Sequence, residues 1–200
     1  MHTKRLLFIA LTPLVFSVMT SATSNEKPIQ LSAFMVGIQE VAPPSTTVVT
    51  NATGTFTATI NDDSTLTYTV TYKNLSSAVL ESHIHIGATK VAGSITIFLC
   101  SNPNTVLPTA PADTPACPDD ATHSGTVSRT VSAADVTNLA AAQGVPAGDF
   151  TDVVRAIVSH VTYANVHSTN FPAGEIRGQI QSTPDPEAEL PGANQPNACH

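Results

Sequence analysis

The stretch Thr65-Leu66-Thr67-Tyr68-Thr69-Val70-Thr71-Tyr72-Lys73 alternates hydroxyl-bearing and bulky apolar side chains without a break. Successive side chains on a strand point to opposite faces, so Leu66, Tyr68, Val70 and Tyr72 line one face and the threonines the other. This period-two pattern marks a half-buried strand, and β-branched Thr and Val suit it. Just upstream, Gly54-Thr55-Phe56-Thr57-Ala58-Thr59-Ile60 repeats it, with Phe56, Ala58 and Ile60 on the buried side. Asn61-Asp62-Asp63 between the two runs is a turn signal, which predicts a hairpin.

The pattern continues outward. IQLSAFMVGIQEVAPP, from Ile29, reads as a strand-like stretch stopped by Pro43-Pro44. AVLESHIHIG and GSITIFLC, joined by ATKVAG, predict a second hairpin, and GTVSRTV, HVTYANVHS and GEIRGQI further strands. Ser132-Ala133-Ala134-Asp135 has the form of a capping box before VTNLAAA, and Asp149 or Thr151 can start a helix through VVRAIVS. Many short strands with one or two short helices define an all-β chain, a Greek-key sandwich or barrel. The connections are too short for a parallel sheet.

The chain has 200 residues, 42% of them apolar and only 12% charged, with 15 prolines and no tryptophan. That is one domain's length, with ample material for a core. A net charge of −7 and the lack of any basic run exclude a protein that tracks nucleic-acid phosphates. Lys4 and Arg5, the apolar run LLFIALTPLVFSVM and the small residues Thr20-Ser21-Ala22 read as a signal peptide over residues 1–22. The expected location is therefore secreted or periplasmic, with no membrane span after cleavage. In an oxidising compartment Cys100 and Cys117 are expected to pair across the Pro-rich segment between them, leaving Cys199 over. Residues 183–200, with Asp185, Glu187 and Glu189 and no counter-charge, read as a disordered acidic tail.

Two groups of residues could carry chemistry. His83 and His85 in HIHIG sit at i and i+2 of a strand and so project to one face, opposite Ile84 and Ile86. Two imidazoles on one face can take two positions at a metal ion if a third ligand arrives from a neighbouring strand, and His167 in NVHS and Glu175 in GEIRG are the candidates. The alternative is an internal set of neutral histidines that donate to carbonyls and accept from amides or hydroxyls. The second group is Glu175, Arg177 and Gln179, opposite Ile176 and Ile180, read as a structural polar network in which the guanidinium holds the Glu175 carboxylate ionised. No nucleophile elbow and no glycine-rich phosphate loop is present, so no catalytic residue is assigned.

LSAF…QEVAPP, HIHIG followed by GSITIFLC, and the closing YANVHSTNFPAGEIRGQI together resemble the CHRD domain, named for its repeats in chordin. The resemblance spans residues 29–182. It is most specific in NVHS…GEIRGQ, where Ser168 stands in place of the family's usual threonine and Ala173 in place of its glycine. It implies an immunoglobulin-like barrel or sandwich similar to copper–zinc superoxide dismutases, with no enzymatic activity established for the domain. Dismutases also use an HxH pair as copper ligands. Carried over by position, His83, His85 and His167 would be the ligand set. The bridging histidine and the zinc loop of a dismutase have no counterpart, which argues against dismutase activity. The function expected is a non-enzymatic structural or binding module outside the cytoplasm, with a protein or matrix partner; the alternative is a copper- or zinc-binding protein.

Overall fold

The computed structural model describes residues 28–41, 47–61, 64–103 and 110–183. Among the described residues nine strands form one sheet: β1 Ile29–Val36, β2 Thr53–Ile60, β3 Leu66–Lys73, β4 Val79–Ile86, β5 Ser94–Ser101, β6 Gly125–Val131, β7 Thr162–Ser168, β8 Ile176–Gln179 and β9 Gln181–Thr183. Their spatial order is β5-β4-β7-β8-β1-β2-β3-β6, with β9 beside β1. All pairings are antiparallel. The end strands β5 and β6 approach each other, so the sheet is nearly closed into a barrel. Within it the Tyr68 hydroxyl of β3 donates to the Leu99 carbonyl of β5 at 2.5 Å. The fold class is all-β, as the alternation predicts.

The opening stretch is β3. Leu66, Tyr68, Val70 and Tyr72 are all buried, and its threonines face outward. There Thr67, Thr69 and Thr71 share hydrogen bonds with Thr130, Ser128 and Thr126 of β6 at 2.9, 2.7 and 3.0 Å. The β2–β3 hairpin pairs Ile60 with Leu66 and is closed by Asn61, whose amide N–H donates to the Thr65 carbonyl at 2.9 Å. Asp62 and Asp63 lie outside the described residues.

Two elements differ in extent from the sequence reading. β1 ends at Val36, because Gly37 turns the chain into a 3-10 turn over Gly37–Gln39. The Gly37 carbonyl accepts from Glu40 and Val48, and a Cβ at position 37 would lie 2.5 Å from the Val48 oxygen. Pro43 and Pro44 lie outside the described residues. The Ser132–Asp135 capping box forms, yet it opens only the 3-10 turn Ala133–Asp135, followed by a 3-10 helix over Asn138–Gln143. The chain is pulled straight between them because Thr137 donates its backbone N–H to Thr96 and its hydroxyl to Ile95, both on β5. The one α-helix among the described residues, α1 Phe150–Val158, is capped by Asp149, which accepts from the Asp152 N–H at 3.0 Å.

Cys100 at the end of β5 is joined to Cys117 by a disulfide. No described helix is long and apolar enough to cross a membrane. Residues 1–22 lie outside the described residues, as do 184–200 with Cys199; Thr183 is the last residue of β9.

Candidate metal centre

Alternation runs along β4 and β7 as well, but there both faces are buried. Ile84, Ala164, Val166 and Ile176 point into the barrel core. The opposite, odd-numbered face carries polar groups in register: Glu81 opposes His167, His83 opposes Asn165, and His85 opposes Tyr163. On the far side of β7, Asn165 opposes Arg177 and Tyr163 opposes Gln179. A polar layer thus lies outside the apolar core, covered by loop backbone from residues 88–93 and 171–174.

Within that layer His83, His85 and His167 converge. Each offers one nitrogen, and the three lie within 4.8 Å of one another; His83 Nδ1 and His167 Nε2 are 3.3 Å apart. Metal–nitrogen bonds of about 2.1 Å allow at most about 4.2 Å between ligand atoms. At tetrahedral angles the span is about 3.4 Å, so the widest pair would draw in by up to about 1.4 Å on binding.

The outer nitrogens identify the tautomers. A carbonyl only accepts, so His85 Nδ1 donates to Gly93 O at 2.9 Å and His167 Nδ1 donates to Pro172 O at 3.0 Å. Burial pushes His83 down to about 3, His167 down to about 4 and His85 well below the usual imidazole range. Neighbouring imidazoles lower His85 and His167 further. All three are neutral at pH 7, and Nε2 of both His85 and His167 then carries a lone pair. The Asn165 amide donates to His167 Nε2 at 2.8 Å, whereas His85 Nε2 is buried without a hydrogen-bond partner.

His83 can carry its proton on either nitrogen. Its Nε2 is 3.4 Å from Glu81 Oε2, and both side chains are fully buried. With the proton on Nε2, toward the carboxylate, two nitrogen lone pairs face each other at 3.3 Å, His167 Nε2 also accepting from Asn165, and a cation between them would relieve the repulsion. With the proton on Nδ1, His83 donates to His167 Nε2 at 3.3 Å, and its Nε2 lies 3.4 Å from Glu81 Oε2 without a hydrogen bond. His85 and His167 each have an outer acceptor, the order in which metal-binding histidines are held, and His85 Nε2 is left without a partner.

Further groups frame the cluster. The Phe98 ring lies edge-on to His83, with centroids 4.5 Å apart. Tyr163 stacks on His85 at 4.7 Å, and the Arg177 guanidinium carbon lies 3.4 Å from the centre of the Tyr163 ring. Glu40 packs against Gly174, where φ is +123° and a Cβ would come within 2.5 Å of Glu40 Oε2. Burial raises Glu40 to about 6, against the Val41 N–H, the Arg177 charge and the Asn165 amide, which lower it.

The set Glu175, Arg177 and Gln179 divides in two. Arg177 donates to Val91 O and Ala88 O, both at 3.0 Å, and its Nη2 lies 3.4 Å from Gln179 Oε1. Gln179 in turn donates to Gly87 O and His160 O. Glu175 instead accepts from the hydroxyls of Thr50, Ser76 and Ser168 and from the Ser76 N–H. Arg177 is not the partner of Glu175: the carboxylate is satisfied by hydroxyls beside the β4–β7 end, and the guanidinium is spent on the 88–91 loop.

Glu40, Glu81, Asn165 and Tyr163 are site residues that sequence reasoning did not assign. Parity held the signal for three of them, since Glu81 shares a strand face with His83 and His85, and Tyr163 and Asn165 share one with His167. Glu40 carried no such signal, because its place depends on the turn at Gly37.

A nearly closed antiparallel barrel with a buried three-histidine cluster on its outer face is the class of protein that fold and site define. The family model described as the CHRD domain matches residues 31–180, and the chain belongs to that family. Neither the search of curated proteins nor that of solved structures returned a match.

Proposed function

We propose that the protein acts outside the cytoplasm as a non-enzymatic binding module whose binding element is a copper(II) or zinc site formed by His83, His85 and His167. One observation carries the reading: three buried neutral imidazoles bring one nitrogen each within 4.8 Å of one another, and His85 and His167 hold their Nδ1 on the carbonyls of Gly93 and Pro172. An all-imidazole donor set suits copper or zinc and disfavours the hard cations calcium and magnesium, which want oxygen. The basic-then-apolar segment at residues 1–22 and the Cys100–Cys117 bond support export. Dismutase chemistry is not part of the proposal, because a second, zinc-type ligand set is missing from the sequence.

Isothermal titration of the purified protein with Cu(II) and with Zn(II), beside a His83→Ala/His85→Ala variant, tests the site. Saturable heat at one ion per chain is expected for the parent and none for the variant. Equal heats from both proteins remove it.

A further inference from the structure

Beside the histidine cluster lies a cavity of about 390 Å³, walled among others by His85, His167, Asn165, Tyr163 and Glu40. Its rim includes Ala92, Leu139 and Ala173, all exposed, so it opens to the surface. Three buried polar atoms belonging to its walls have no hydrogen-bond partner: His85 Nε2, Asn165 Oδ1 and Glu40 Oε2. Their residues are 7%, 2% and 3% exposed. His85 Nε2 is an acceptor because Nδ1 carries the proton, and the other two are oxygens, so all three seek donors or a cation. The remaining wall is largely apolar, with Val41, Ile95 and Leu139.

We propose that this cavity is the docking site of an imidazole-bearing ligand, which gives one nitrogen lone pair to the metal at the histidine cluster and its N–H to the acceptors of Glu40 and Asn165. The inference rests on the metal reading above. Chemistry selects the ligand class. A small anion meets a carboxylate and an amide oxygen and finds no donor. A primary amine is protonated at neutral pH and has no lone pair to offer. A neutral imidazole has one lone pair and one N–H on opposite sides of a flat apolar ring, matching a wall that is polar at two places and apolar between. Water also matches the polar groups, but one water takes only about 30 Å³ of such a volume.

Copper-loaded protein is titrated with imidazole, 1-methylimidazole and azide, following the Cu(II) electron paramagnetic resonance and visible spectra. 1-Methylimidazole keeps the lone pair and lacks the N–H. Imidazole is expected to bind at least about ten-fold tighter than 1-methylimidazole, the effect of one hydrogen bond to a charged group, with azide weakest. Glu40→Gln puts an N–H where Oε2 was and should abolish the preference while copper remains bound. Equal affinities for the two imidazoles, azide binding best, or imidazole that strips the copper overturns the inference and leaves the metal site standing. Failure to take up copper at all overturns both.

Discussion

Lowering the pH of the metal-free protein should destabilise it steeply, because the three histidines are buried neutral. In the unfolded chain each takes up a proton near the ordinary imidazole value of about 6.5, whereas in the folded protein His83 and His167 resist protonation to about 3 and 4, and His85 is also held far down. Below pH 6.5 the unfolded state therefore binds more protons, and stability falls with pH by about 1.4 kcal/mol per unit for each histidine. Between pH 7 and pH 5 His83 and His167 together remove about 4 kcal/mol, and His85 adds to the same loss. Glu40 works the other way. Raised from 4.5 to about 6, it takes a proton in the folded state first and returns about 1 kcal/mol over the same interval. The net loss of at least about 3 kcal/mol is a large part of the stability of many domains. Urea unfolding monitored by circular dichroism at pH 7 and pH 5, with chelator present, measures it. A fall of less than about 1 kcal/mol would show that the histidines accept protons in the folded state, and the tautomer argument for the site would fail with it.

Other perturbations give distinct outcomes. Saturating Zn(II) should raise the midpoint of thermal unfolding at pH 7, and His167→Ala, which lacks one ligand, should lose most of that rise; an equal rise in both proteins refutes the ligand assignment. Glu175→Gln places an amide N–H among the donors of Thr50, Ser76 and Ser168. It should cost about 2–3 kcal/mol in urea unfolding, and an unchanged midpoint would mean that the hydroxyls reorient freely. Cys100→Ser/Cys117→Ser opens a bridge across a separation of 17 residues, and should lower stability by about 3 kcal/mol without changing the circular dichroism spectrum. Gly178→Ala puts a Cβ 2.4 Å from the Phe34 carbonyl oxygen, where β8 passes β1. A loss of about 1–3 kcal/mol is expected, and none if the strands can part.

Legibility followed how local each cause was. The β2–β3 hairpin is visible in the chain because alternation and a turn residue are local, and the pairing of Ile60 with Leu66 follows from them. The α1 cap at Asp149 is likewise a matter of a few neighbouring residues. The helix expected after Ser132 shows where locality ends. Its capping box forms, but hydrogen bonds from Thr137 to β5 straighten the chain beyond it.

His83 and His85 share a face by strand geometry alone, so the sequence by itself determined that two imidazoles would point together. It also determined the all-β class, through the period of its apolar residues, and the family, through NVHS…GEIRGQ. The tertiary structure decided what that face meets. The antiparallel register of β4 against β7 set Asn165 across from His83 and brought His167 within 3.3 Å of it. The carbonyls of Gly93 and Pro172 fixed which nitrogens carry protons. It also separated Arg177 from Glu175, which the sequence had joined. Alternation specifies which side of a strand a residue occupies; the depth of burial and the neighbour across the strand depend on chain distant in sequence, and those set the charge and hydrogen bonding of the site.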